Sequence, residues 1–177
     1  LMFFVCNSFI VSLYTLRKMS IKTGNFHTIE QHFDVPSERK ILYGEVNTPY
    51  SIITEMIYLL PKSFRSNPKN IWFDPSCGSG YYPIMLYKVL MDELASQIPN
   101  ELKRSNHIVK NMLRMNEINP YHIARLREVF SKKANIDCSD FLSYKKENIE
   151  RNTDQSVCII GNPPYNCGGL MKTPTNT

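Results

Sequence analysis

Toward the C-terminal end of this 177-residue chain, Val157-Cys158-Ile159-Ile160-Gly161 runs straight into Asn162-Pro163-Pro164-Tyr165. No other segment narrows the possible folds as much. Consecutive β-branched and small apolar residues suit a strand covered on both faces, as in a parallel sheet flanked by helices. The two prolines end that strand. Each lacks a backbone N–H, fixes its own φ, and steers the preceding residue away from helix. The product is a stiff peptide at the carboxyl end of a buried strand, where open α/β sheets place their ligands. Asn162 brings a side-chain carbonyl acceptor and Tyr165 a flat ring. Together they suit a planar aromatic amine, one accepting its N–H protons and the other stacking on its face.

The upstream sequence follows the same logic. Ile71-Trp72-Phe73 is a short apolar strand, Asp74-Pro75-Ser76-Cys77-Gly78-Ser79-Gly80-Tyr81-Tyr82 follows it, and Ile84 to Met91 has helical spacing. Strand, glycine turn and helix open a nucleotide-binding α/β unit. Gly78 and Gly80 lack a Cβ, which lets the backbone bend tightly and approach a ligand. The turn lacks the G-x-G-x-x-G spacing, so its specificity rests on the whole string rather than on the glycine pair.

A second strand over 111–116 ends on Glu117-Ile118-Asn119-Pro120, and Tyr121 to Phe130 is helical. A carboxylate at such a strand end can accept hydrogen bonds from both ribose hydroxyls. In dinucleotide folds that carboxylate lies about 20 residues past the glycine turn. Here an inserted polar stretch around Ser96 to Lys110 lengthens the gap. Ala134 to Cys138 reads as a third strand, followed by Ser139-Asp140-Phe141-Leu142; locally, Asp140 is equally well explained as a helix N-cap. Near the start, Thr48 is placed as N-cap and Pro49 at the first position of an amphipathic helix reaching Leu60.

Taken in order, Thr48-Pro49, the string Asp74 to Gly80, Glu117-Ile118-Asn119-Pro120, Asp140-Phe141 and Asn162-Pro163-Pro164-Tyr165 resemble the gamma arrangement of DNA N6-adenine methyltransferases, many from restriction–modification systems. The resemblance covers residues 41–166. It implies an α/β, Rossmann-like S-adenosylmethionine-dependent methyltransferase fold with a mostly parallel sheet, and S-adenosyl-L-methionine as cofactor. It also assigns roles. Asp74, Pro75, Cys77, Gly78, Ser79 and Gly80 would wrap the methionine end of the cofactor, and Thr48-Pro49 would close over its carboxylate. Glu117 would hold the ribose, Ile118 and Phe141 would pack on the adenine ring, and Asp140 would accept from its amino group. Asn162, Pro163, Pro164 and Tyr165 would be the catalytic segment that holds the target amine. Tyr82 and Pro83 depart from the commoner Phe and Leu or Val, and this Tyr-Pro-Ile continuation is similar to versions in large DNA viruses.

The family sheet has seven strands, and four are legible here: near 71–74, 112–116, 134–138 and 156–160. The expectation is therefore that residues 19–177 form a partial catalytic domain, the N-terminal part of a larger enzyme whose target-recognition domain lies outside this sequence. Leu1 to Leu16 is apolar and uncharged. It is shorter than the roughly 20 residues of a membrane span and lacks a basic n-region. Residues 1–18 are read as an extension preceding a start at Met19.

Five cysteines form no C-x-x-C pair. An odd set without that spacing indicates a reduced, intracellular protein, with Cys138 and Cys158 in buried strands; the resemblance implies a cytoplasmic enzyme of viral or prokaryotic type. The four histidines show no metal-ligand spacing, so no metal is expected. A formal charge of +5 is compatible with a polyanion, but the basic residues are scattered and read as solvated faces. The expected partners are double-stranded DNA, contacted through the C-terminal region not present, and a complementing polypeptide; no membrane is expected. Three other readings stay open: an amino-methyltransferase acting on RNA or protein glutamine, an inactive cofactor-binding fragment, and an α/β module for another nucleotide.

Overall fold

The computed structural model describes residues 48–144 and 155–164. Helix α1 (Tyr50–Tyr58) and the single turn α2 (Lys62–Arg65) lead into strand β1 (Ile71–Asp74). Helix α3 (Tyr81–Glu93) returns along the sheet. Helix α4 (Glu101–His107) and a π-helical turn (Ile108–Met112) then feed β2 (Leu113–Glu117). Helix α5 (Pro120–Phe130), β3 (Ile136–Cys138), a 3-10 turn (Phe141–Ser143) and β4 (Val157–Ile159) complete the order.

The described strands form one parallel sheet in the order β3-β2-β1-β4. The chain steps outward from β1 to β2 and β3, then crosses back to place β4 on the other side of β1. The direction of winding thus reverses between β1 and β4. In open α/β sheets the crevice outside the carboxyl ends of two such strands is where ligands bind. Those carboxyl ends carry Asp74 and the Gly161-Asn162-Pro163-Pro164 segment. The register is tight: Phe73 pairs with Ile159, and the Ile160 N–H donates to the Phe73 carbonyl at 2.9 Å.

All four residues of β1 are buried, as a central strand covered on both faces requires. Trp72 meets Phe64 edge-on, with ring centroids 5.4 Å apart. Helix α3 is apolar on most of its circumference because α1 and the sheet both press on it. Tyr81 in its first turn stacks on Tyr50 of α1, centroids 4.9 Å apart. Pro83 is tolerated because it sits in the first helical turn, where backbone N–H groups have no intrahelical partner. An ion pair staples this layer: Arg65 meets Glu93 at 2.8 Å, both side chains nearly buried, with the guanidinium 4.4 Å from the Tyr58 ring centroid and also bonded to the Leu60 carbonyl.

Three expectations need correction. The polar stretch before β2 is not simply a surface insertion. Asn100 caps α4 by accepting the Lys103 N–H at 2.9 Å, and Ile108 and Val109 are buried against the core. Cys138 is exposed, because β3 is a three-residue edge strand of which only Ile136 is buried. Thr48 is not the N-cap of α1. The helix starts at Tyr50 with Pro49 at the cap and no side-chain capping bond, so the Thr48 hydroxyl points elsewhere. No described helix is long and apolar enough to cross a membrane.

Candidate active site at the carboxyl edge of the sheet

The loop after β1 turns on two left-handed glycines, Gly78 at φ +51° and Gly80 at φ +95°. A Cβ on Gly80 would lie 2.5 Å from a Leu126 methyl, so α5 packs directly on the loop. A Cβ on Gly78 would meet nothing within 4 Å. Gly78 therefore serves the backbone conformation and leaves an open approach to the main chain, which is what a ligand cradle needs.

Two residues at the end of β2 hold the loop in place. Glu117 Oε2 accepts the Gly78 N–H at 2.7 Å, and its Oε1 accepts the Asn119 N–H at 2.9 Å. The side chain is buried rather than solvated. A carboxylate has about four lone-pair positions, so these two bonds leave capacity for ribose hydroxyls. Asn116 was not singled out by sequence. It is buried, donates to the carbonyls of Pro75 and Ser139 at 3.0 Å each, and accepts from Ser139 Oγ at 2.6 Å. It thereby fastens the glycine loop to the loop after β3. The sequence signal available was an amide inside an otherwise apolar strand.

Asp74 ends β1 with its carboxyl fully buried. Oδ1 accepts the Ser76 N–H at 3.2 Å, while Oδ2 has no hydrogen-bond partner among the described residues. Burial pushes its pKa up to about 8, against the opposing pull of the Ser76 N–H and with a smaller push from the Glu117 charge. Asp74 is thus mostly protonated at neutral pH. Burial likewise pushes the Cys77 thiol up, reinforced by the neighbouring Asp74 and Glu117 carboxyls, so Cys77 is a packed thiol and not a nucleophile. Ser79 is also buried in the loop.

Beyond Glu117 the surface turns apolar. Ile118 is 64% exposed and Phe141 42% exposed, on the two loops that follow β2 and β3. Asp140 caps the 3-10 turn, accepting the Leu142 N–H at 2.9 Å, which is its ordinary structural role; its side chain remains exposed. Phe141 packs at 6.0 Å from Phe73 and 5.9 Å from Tyr144, centroid to centroid.

At the end of β4, Gly161 passes against Asp74 so closely that a Cβ there would overlap the carboxyl oxygen, with Pro75 Cδ at 3.5 Å. The next residue, Asn162, donates from Nδ2 to Thr48 Oγ1 at 3.1 Å. Tyr82, at the start of α3, directs its phenol toward the same hydroxyl at 3.4 Å. Thr48, the glycine loop and the Asn162 segment are therefore neighbours. Tyr165 lies outside the described residues.

An open glycine turn, an acidic strand end, exposed apolar residues on the next two loops and an unpartnered buried carboxyl oxygen together fit a nucleoside-containing cofactor. The fold is that of a Rossmann-like α/β domain with a parallel sheet. The family model for N-6 DNA Methylase matches residues 32–175, and the chain belongs to that family. Among solved structures, a modification subunit assigned to a type I restriction enzyme from Vibrio vulnificus YJ016 is similar at 16% identity and a TM-score of 0.46. The match covers 78% of this chain and 27% of that one, so the chain spans about a quarter of that subunit. No curated protein matches.

Proposed function

We propose that this chain transfers a methyl group from S-adenosyl-L-methionine to the exocyclic amino nitrogen of adenine in double-stranded DNA, as part of a restriction–modification-type enzyme. One observation carries the reading: Gly161 presses the Asn162 segment against Asp74 and Pro75, beside the glycine loop and at the reversal point of the sheet. Among the described residues β4 pairs only with β1, so its other edge suits further strands, and the reading includes a complementing polypeptide.

The target adenine must leave the duplex, because its amino nitrogen is otherwise paired and stacked. Asn162 Oδ1 and the Pro163 carbonyl accept the two amino protons and keep the lone pair on nitrogen. Tyr165 stacks on the base, a contact worth about 1–3 kcal/mol. Glu117 takes the ribose hydroxyls, and Ile118 and Phe141 cover the adenine ring of the cofactor, with Asp140 at its amino group. Asp74, Pro75, Cys77, Gly78, Ser79 and Gly80 shape the methionine end. S-adenosylmethionine, when bound, supplies an electrophilic methyl group. The amino nitrogen would accept that methyl as the bond from methyl to sulfonium sulfur breaks, leaving the thioether S-adenosylhomocysteine, and would give up one proton to solvent. Positioning and fixed dipoles carry the rate enhancement, with no covalent enzyme intermediate.

Calorimetric titration with S-adenosylmethionine, NAD and ATP, followed by methyl-label transfer onto DNA, RNA and protein pools, tests this. Binding of S-adenosylmethionine alone and label in DNA support it. Label only in RNA or protein, or preference for NAD or ATP, contradicts it.

A further inference from the structure

We propose that Thr48 is a positioning residue for the catalytic amide, fixing where the Asn162 side chain sits; this rests on the reading of Asn162 given above. An asparagine amide has opposite ends, one that only donates and one that only accepts. With Nδ2 donating to Thr48 Oγ1 at 3.1 Å, Oδ1 is turned to the other side, the acceptor an amine substrate requires. The Thr48 hydroxyl can accept or donate, so it fixes the place of the amide, while the substrate amine, itself a donor, selects the orientation with Oδ1 toward it.

The hydroxyl is held stiffly enough for this task. Thr48 precedes a proline, which confines its backbone to extended conformations. Pro49 caps α1, whose Tyr50 stacks on Tyr81 of α3. The Tyr82 phenol, one residue further on, reaches Thr48 Oγ1 at 3.4 Å and Met56 Sδ at 3.5 Å. A hydroxyl accepts two hydrogen bonds, and here Asn162 and Tyr82 approach as the two donors. The relay therefore runs from the helix that follows the glycine loop, through Thr48, to the amide. A residue 34 positions before Tyr82 and 114 before Asn162 links cofactor loop and catalytic segment.

The test compares Thr48→Val, which keeps shape and loses the oxygen, with Thr48→Ser, which keeps the oxygen. In methyl transfer to DNA, kcat of Thr48→Val falls about 10²-fold, the scale of a misplaced reacting group. The effect is read as kcat at saturating S-adenosylmethionine, so that any weakening of cofactor binding at Thr48-Pro49 is held out of the comparison. Thr48→Ser restores kcat. Unchanged kcat in Thr48→Val, or a raised KM with kcat intact, overturns the proposal. A second readout needs no turnover: heteronuclear NMR of the Asn162 side-chain NH2, identified by its loss in Asn162→Ala. Its protons exchange slowly in wild type and Thr48→Ser, and at least tenfold faster in Thr48→Val when a hydrogen bond is removed. Equal exchange in all three sinks the idea. A protein that fails to methylate DNA yet shows this pattern contradicts the function while sustaining the positioning role.

Discussion

Glu117 receives the Gly78 N–H on one carboxylate oxygen and the Asn119 N–H on the other, at 2.7 and 2.9 Å. One side chain thus sets the height of the glycine loop and starts helix α5. Glu117→Gln cannot reproduce this, because one of its two terminal groups is a donor and would face an N–H. The expected cost is about 1–3 kcal/mol in urea unfolding, the penalty for a buried group left unsatisfied. Cofactor affinity measured by calorimetry falls in parallel. Unchanged stability would show that the loop is held by other bonds.

Gly161→Ala forces a methyl into the Asp74 carboxyl. Overpacking of this kind costs about 1–3 kcal/mol. The larger effect is on Asn162, one residue on, which must move with β4, and methyl transfer drops at least about 10²-fold. Asp74→Ala opens space at the clash. In a double-mutant cycle the pair is less damaging to stability than the sum of the single changes, a coupling expected of residues in contact. Additive costs would mean that the two do not touch.

Asp74 gives the protein a pH-dependent stability with a definite sign. Folded, it keeps its proton up to about pH 8, whereas an aspartate in an unfolded chain loses it near 3.8. Between these values unfolding releases a proton, so stability falls as pH rises. The contribution is fully present below the unfolded value and lost above the folded one. The slope from this group is at most about 1.4 kcal/mol per pH unit. Asp74→Asn flattens the profile from pH 5 to 8 in thermal melts relative to wild type, on the same pKa argument. A profile of the same slope in the variant would show that Asp74 ionises normally.

The Arg65–Glu93 pair is almost fully buried and joins α2 to the end of α3. Glu93→Ala leaves the guanidinium unpaired in the interior and costs about 3–5 kcal/mol in denaturant unfolding. A cost below about 1 kcal/mol, typical of exposed pairs, would place this pair in solvent.

Much of this fold was legible because short apolar runs and proline or glycine stops have local causes. Ile71 to Asp74, Leu113 to Glu117 and Val157 to Ile159 became strands where their sequence called for them. The stretch from Pro99 to Lys110 reads as a surface insertion, and only its far end departs from that. Its polarity hides an N-cap and two buried residues at the far end, so average composition outweighed pattern. Cys138 closes a short run that reads as a buried strand, yet β3 stands at the edge of the described sheet. Thr48 looked like a cap because Thr-Pro commonly precedes a helix. Its actual partner, Asn162, is at the other end of the chain, and no local pattern encodes that contact. Asn116 escaped notice for the same reason, since its partners Pro75 and Ser139 come from separate loops.

The central claim concerns one nitrogen atom on one base. Duplex DNA is incubated with this protein and isotopically labelled S-adenosylmethionine, then digested to nucleosides and resolved by mass spectrometry. Labelled N6-methyl-2′-deoxyadenosine in wild type, and its absence with Asn162→Ala that still binds the cofactor, is the predicted result. Label on cytosine, or equal labelling by Asn162→Ala, would contradict the account.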